Sequence, residues 1–346
     1  MVQASNPVDD PRVSAAVLPT NILCSLVQLA EERGLDAGGW FTGLALGPSD
    51  VCDPSARVSY RQALGIIRRA MQTLAEPNLG LLLGRRQDIG NFGLLGLAMK
   101  TSRNFSDAIT IGITHQRATG ALLELSLQDQ APDEVALYAR APLTDPVVLP
   151  FLCEEMFVSV FAVARELAGP ALQPRRLELA YAEPAYAHEY RELFGCPVVF
   201  DRPHNCLVIE AHWLDLPFPT YNPVTARQAL SALVRELEST RGMQSETAAA
   251  VERQLRQRVS QNPRLLDVAD SLYRSERTLR RQLAEEGASF TRIHDRVRCE
   301  RALELLRDPR LTVAQVGSQV GFGDVREFRR AFKRWTGRTP TDLRHG

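Results

Sequence analysis

The C-terminal third of the chain contains one physical device twice: a short capped helix, a tight turn, and a second helix whose outward face is almost entirely arginine. In the second copy Thr312 and Gln315 stand at capping-box spacing, Val313, Val316 and Val320 recur on one face, and Gly321 breaks the helix. Asp324 then caps another helix, with Glu327 at the reciprocal capping position. Within it Phe328, Ala331, Phe332 and Trp335 share one side, whereas Arg326, Arg329, Arg330 and Lys333 share the other. Gly337 and Pro340 terminate it. The first copy uses Leu265, Val268, Ala269 and Leu272 for its supporting helix, Ser275 as the next cap, and Leu279 and Leu283 as inward residues. Arg277, Arg280 and Arg281 face outward, and Gly287 closes that helix beside Glu285 and Glu286, an acidic pair expected to point away from phosphate.

A single cationic stripe is ordinarily a solvated helix face. Here two are joined by a helical stretch from about Phe290 to Leu306. At 1.5 Å per residue that stretch spans roughly 26 Å, enough to place two reading helices in successive major-groove segments about one DNA turn apart. Arginine can donate two hydrogen bonds to guanine there, and neighbouring cations can hold phosphates. The predicted partner is double-stranded DNA.

Charge is segregated to match. The 41 basic and 41 acidic side chains cancel, yet residues 241–346 carry 22 Lys plus Arg against 14 Asp plus Glu, while residues 1–240 carry 19 against 27. A basic tail on an acidic body is the pattern of a nucleic-acid module attached to something else. Only Lys100 and Lys333 are lysine, so arginine preference runs through the whole chain and the placement of the arginines is what signals DNA.

With 346 residues, 45% of them hydrophobic, the chain can bury two ordinary cores. Residues 1–13 have no basic region followed by an apolar run, which predicts neither signal peptide nor membrane anchor, and residues 1–18 are expected to form a frayed tail. The apolar stretch Pro150–Ala168 is interrupted by Glu154, Glu155, Arg165 and Glu166, the mark of a buried amphipathic helix rather than a membrane span. Cys24, Cys52, Cys153, Cys196, Cys206 and Cys299 form no C-x-x-C pair and have no histidine at zinc-ligand spacing, so they are expected to be reduced core thiols of a cytoplasmic protein, with no metal and no cofactor. There is no G-x-S-x-G elbow, Walker loop or H-E-x-x-H motif, which argues against an enzyme.

Helical periodicity covers Ile22–Ala30, Val58–Leu74 and Phe105–Gly112, and a further helix is predicted over Asn222–Leu237. Leu122–Leu127 and Glu134–Tyr138 alternate as a strand pair, and Arg176–Leu179, Val198–Phe200 and Cys206–Ile209 are short β-like runs. Helices with scattered strands and no regular strand–helix alternation predict an α+β domain over 19–240. The polar stretch Glu238–Gln244, with Gly242, predicts the boundary to an all-α double helix-turn-helix domain over 241–346.

The run Leu279–Gly287 with Phe290, then Arg298, Ala302, Leu303, Leu306, Gly321, Phe322, Phe328, Ala331, Phe332, Trp335, Gly337, Pro340 and Arg344, resembles the AraC/XylS family of bacterial transcription regulators over about residues 250–344. The resemblance implies a seven-helix DNA-binding domain. Carried over by position, its base-contacting residues are Arg277, Arg280 and Arg281 in the first reading helix and Val325, Arg326, Arg329 and Arg330 in the second, with Lys333 at the far end of the stripe. Three positions depart from the family pattern. Arg264 replaces a small capping residue, Gly317 replaces alanine in a supporting helix, which is expected to soften the second unit, and Gly323 replaces serine.

Leu79-Gly80-Leu81-Leu82-Leu83-Gly84, Gly93-Leu94-Leu95-Gly96, Ala108-Ile109, Phe194-Gly195 and Pro197-Val198-Val199-Phe200 resemble the N-terminal effector domain of the ornithine-utilisation and VirS-type branch of that family, over about residues 20–225. That resemblance implies a small-molecule sensor, an activator role at a promoter with RNA polymerase, and pairing of two subunits. Gly90-x-x-Gly93-x-x-Gly96 is wrongly spaced for a nucleotide loop, and close helix packing accounts for it. His115, Glu154 and Phe157 are the candidate effector contacts, because a polar group on an apolar face needs a partner and a ligand can be one. Two alternatives stand beside this reading. One is a constitutive DNA-binding protein whose front domain only oligomerises. The other is a DNA-repair methyltransferase, which needs zinc cysteines and an acceptor cysteine that the scattered thiols do not supply.

Overall fold

The computed structural model describes residues 11–143, 145–239 and 245–345. The chain divides into two compact units, Met1–Met243 and Gln244–Gly346.

The first unit begins with helices α1 (Pro11–Ser14), α2 (Asn21–Glu32), α3 (Pro48–Val51), α4 (Tyr60–Leu74), α5 (Leu79–Gly84), α6 (Gly93–Lys100) and α7 (Phe105–Thr114). Strands β1 (Glu124–Ala131) and β2 (Glu134–Arg140), the long helix α8 (Leu149–Ala168), β3 (Arg176–Glu178), α9 (Ala187–Phe194), β4 (Val198–Val199), β5 (Asn205–Glu210) and α10 (Pro223–Ser239) follow. The α4 start shows how locally the sequence writes these elements. Ser59 Oγ accepts from the Gln62 N–H at 3.0 Å while Gln62 Oε1 accepts from the Ser59 N–H at 3.0 Å, a complete capping box. The strands form one sheet in the order β1-β2-β5-β3-β4, antiparallel except for the β3–β4 pair. One face of the sheet joins the main core through Val135, Leu177, Leu207 and Ile209. α8 buries Phe151, Phe157 and Phe161 in that core, and no described helix is long and apolar enough to cross a membrane.

Two glycines let α5 lie against α8. A Cβ at Gly80 would sit 2.5 Å from the Phe151 carbonyl oxygen, and one at Gly84 would sit 2.6 Å from Val158 Cβ. Close packing also explains Gly96, where a Cβ would stand 2.1 Å from the Ile89 oxygen, whereas Gly93 serves a left-handed turn at φ 53°.

Two expectations are corrected. Residues 1–10 lie outside the described residues, but 11–18 are not a frayed tail: Val13, Ala16 and Leu18 are buried, and Leu18 and Val58 exchange backbone hydrogen bonds of 3.0 and 2.9 Å. Their apolar side chains find the groove beside α4 that a polarity argument does not see. Cys24 and Cys52 are not free thiols but a disulfide, with Cα atoms 4.9 Å apart, closed across 28 residues because α3 folds back on α2. Cys153, Cys196, Cys206 and Cys299 are free, three of them buried.

The second unit is built from α11 (Glu246–Gln257), α12 (Leu265–Ser271), α13 (Glu276–Glu285), α14 (Phe290–Leu306), α15 (Val313–Gln319), α16 (Val325–Thr336) and α17 (Pro340–His345). It has two cores. Val251, Leu255, Val268, Leu279 and Leu283 form the first, and Val316, Val320, Phe328 and Phe332 the second. α14 belongs to both, giving Ile293 and Val297 to one and Ala302 and Leu306 to the other. Burying each of the valine, leucine, isoleucine and phenylalanine side chains among them contributes about 1.5–3 kcal/mol, so the strut is held at both ends by the units it separates.

Candidate nucleic-acid interface and ligand cavity

The two helix-turn-helix copies close by the same hydrogen bonds. After α12 the Arg274 N–H donates to the Ala269 oxygen at 2.9 Å, and after α15 the Phe322 N–H donates to the Gly317 oxygen at 2.9 Å. Both are Schellman closures, each with a left-handed residue just past the helix: Tyr273 at φ 54° in one and Gly321 at φ 80° in the other. The sequence signals Gly321 openly. It hides Tyr273, since tyrosine is no turn marker, and that side chain is 99% exposed.

The reading helices start where the caps predict. Ser275 accepts from the Thr278 N–H at 3.2 Å. Asp324 accepts from the Arg326 N–H at 2.7 Å, two residues on, and this bond takes the place of the reciprocal pairing expected with Glu327. Arg264 gives no side-chain cap to α12; Asp267 instead accepts from the Arg264 N–H at 2.7 Å. The helix runs unbroken through Gly317. A Cβ there would meet Phe328 at 3.2 Å, so the glycine makes room for the core aromatic of α16.

Phe328, Ala331 and Phe332 are buried, whereas Arg326, Arg329, Arg330 and Lys333 are exposed and Val325 is half-buried at the first turn. Among the described residues these four cations make no ion pair. On α13 Arg277, Arg280 and Arg281 are also exposed, but Arg280 pairs with Glu276 and Arg281 with Glu285 at 3.4 Å. The α13 face is therefore partly neutralised by its own helix, and the α16 face is the stronger anion-seeking surface. Behind it stands Arg298 of α14. Its Nε donates to the Val320 oxygen at 2.8 Å and its guanidinium lies 3.5 Å from the Phe322 ring centre. Burial lowers its pKa to about 10, and Arg334 of α16 adds to that while pairing with Asp295 at 3.1 Å.

In the first unit a cavity of ≈ 150 Å³ opens between α6, α7, α8 and the sheet. Its walls are hydrocarbon: Leu95, Met99, Ile109, Leu125, Leu137 and Ile209 among them. Of the polar groups on it, Asn21 and Asn91 are exposed, while Gln87, Thr119 and Gln116 are half-buried: Gln87 accepts from the Asn91 amide at 3.1 Å, Thr119 donates to the Gln116 oxygen at 2.8 Å, and Gln116 donates to the Ile113 oxygen at 3.0 Å and accepts from the Leu125 N–H at 2.7 Å. Glu155 and Ser159 are the buried polar lining. Ser159 Oγ bonds the Glu155 backbone oxygen and lies 3.3 Å from Glu155 Oε1. Burial pushes the Glu155 carboxyl up to about 7, with the Ser159 hydrogen bond opposing it.

The expected effector contacts fall elsewhere. Glu154 and Phe157 do not line this cavity, because one residue along α8 turns the side chain by about 100°. Glu154 is satisfied by the protein: the Tyr186 and Tyr190 hydroxyls donate to its Oε1, and burial among them holds its carboxyl at about 7. Phe157 is buried in the core. His115 is half-buried at the end of α7 and lines a second, open cleft with Leu18, Tyr60 and Leu123. Glu155 was missed because its neighbour in sequence carries the same charge and only the helix phase separates them.

Two matched DNA-sized units on one strut, in a chain that also holds a ligand-sized cavity, define a DNA-binding transcription regulator with an N-terminal ligand-binding domain. A family model described as the arabinose-binding domain of AraC transcription regulators matches residues 34–218, and a helix-turn-helix domain model matches 268–346. The chain belongs to the AraC family. It is 31% identical to the ornithine utilization regulator of Pseudomonas aeruginosa over 96% of this chain and 97% of that one. It is 23% identical to the transcriptional regulator VirS of Mycobacterium tuberculosis over 83% of this chain and 85% of that one. Among solved structures, transcriptional regulator CdpR from Pseudomonas aeruginosa is similar with a TM-score of 0.44 and 25% identity, over 82% of this chain and 91% of that one.

Proposed function

We propose that this protein is an effector-responsive activator that binds promoter DNA through α13 and α16 as a homodimer in the bacterial cytoplasm and assists RNA polymerase there. The observation that carries the reading is the pairing, in one chain, of two matched cationic reading helices with a buried ligand-sized cavity. In this reading Arg277, Arg280 and Arg281 enter one groove segment, and Val325, Arg326, Arg329, Arg330 and Lys333 enter the next. The free cations of α16 give it the larger share of affinity.

DNA-binding titrations of the intact protein on its own upstream region, with and without candidate metabolites, test the reading. A metabolite that changes affinity or promoter output supports it. DNA binding indifferent to every metabolite that stabilises the first unit favours a constitutive binder whose front domain only oligomerises. A ligand at a hundred times its dissociation constant adds about 2.7 kcal/mol of stability, which makes a thermal-shift screen the efficient first step.

A further inference from the structure

The cavity in the first unit has a composition that narrows its ligand. A pentose presents hydroxyls all round, and burying a hydroxyl without a partner costs several kcal/mol in an apolar site. Among the described residues Glu155 and Ser159 are the only fully buried polar groups on this wall, and the half-buried Gln87, Gln116 and Thr119 already spend hydrogen-bonding capacity on the protein, so a sugar would lose more hydrogen bonds than it gained. An amino acid or other carboxylate fares no better. Among the described lining residues there is no lysine, arginine or histidine to meet a carboxylate.

The polar pair itself is short of donors. Ser159 has one hydroxyl proton, and both the backbone oxygen and Oε1 of Glu155 lie within its reach. No other side chain donates to the Glu155 carboxyl among the described residues, although it is 7% exposed. A buried carboxylate needs a cation or several donors. A ligand ammonium supplies three N–H donors and the missing charge in one group. The volume fits a body of about one aromatic ring, since a 150 Å³ apolar cavity accepts benzene.

We infer that the cavity binds a compact primary amine with a hydrocarbon body, its ammonium held by Glu155 and Ser159, and that it excludes sugars and carboxylates. The inference rests on the reading of the first unit as the ligand-binding part.

The test is calorimetric titration of the intact protein with benzylamine, benzyl alcohol, benzoate and L-arabinose. Benzylamine should bind, the alcohol should bind at least about tenfold more weakly for want of a charged hydrogen bond, and benzoate and arabinose should not bind. Glu155→Gln should weaken benzylamine by about tenfold or more and leave benzyl alcohol within about twofold. Ile109→Trp, which fills the cavity from the opposite wall, should abolish amine binding whether or not the Glu155 variant folds. Arabinose or benzoate binding as tightly as benzylamine overturns the inference, as does benzylamine binding untouched by Ile109→Trp. Amine binding that obeys both variants but leaves DNA affinity unchanged upholds the ligand class and counts against the sensor reading.

Discussion

Arg326 and Lys333 sit on one stripe of α16, near its start and its end respectively, and that difference fixes what each can touch. Arg326→Ala should cost about 1–3 kcal/mol and relax preference at one base position, whereas Lys333→Ala should weaken all sequences alike and flatten the salt dependence by about one unit of slope. A base-substituted operator series measured at two salt concentrations separates them; equal losses on specific and random DNA for Arg326→Ala would make that residue a phosphate clamp. Glu155 carries a pH signature of the opposite unit. Its folded pKa, about 7, lies above the unfolded value of 4.5, so its contribution to stability is full below pH 4.5 and is lost as pH rises through 7. Relative to Glu155→Gln, the wild type should lose stability on the order of 3 kcal/mol across that window. Urea unfolding of both proteins at several pH values checks it, and a flat difference contradicts the burial of the carboxyl.

At the scale of elements, two contacts decide whether the sites keep their shape. Gly80→Ala pushes a Cβ into the Phe151 carbonyl of α8 and should cost about 1–3 kcal/mol, in the unfolding of the first unit alone. Arg298→Met keeps much of the volume but removes the bond to the Val320 oxygen and the stack on Phe322, and should destabilise the second unit by about 2–4 kcal/mol. Differential scanning calorimetry resolves which transition moves; a shift in the other unit's transition would contradict the contact. The caps and the strut were legible in the sequence because Thr312 with Gln315, Ser275, and the apolar spacing of 290–306 are local signals that the folded chain uses as written. The Tyr273 turn, the Cys24–Cys52 bridge and the choice of Glu155 over Glu154 were not. Each depends on which remote surface a residue meets, and neither residue type nor spacing carries that.

For the whole molecule, the segregation of charge and of core between the two units implies that DNA binding is internal to the second. The fragment from Gln244 to Gly346 contains all seven helices, both cores and every arginine proposed to touch DNA. The most direct measurement is therefore the binding isotherm of that fragment, beside the intact protein, on the same promoter DNA at low and high salt. With four to seven phosphates neutralised, log K against log salt should fall with a slope of about −4 to −6 for both proteins. A folded fragment that shows no salt-dependent binding while the intact protein does, or an intact protein that ignores DNA altogether, would contradict the account.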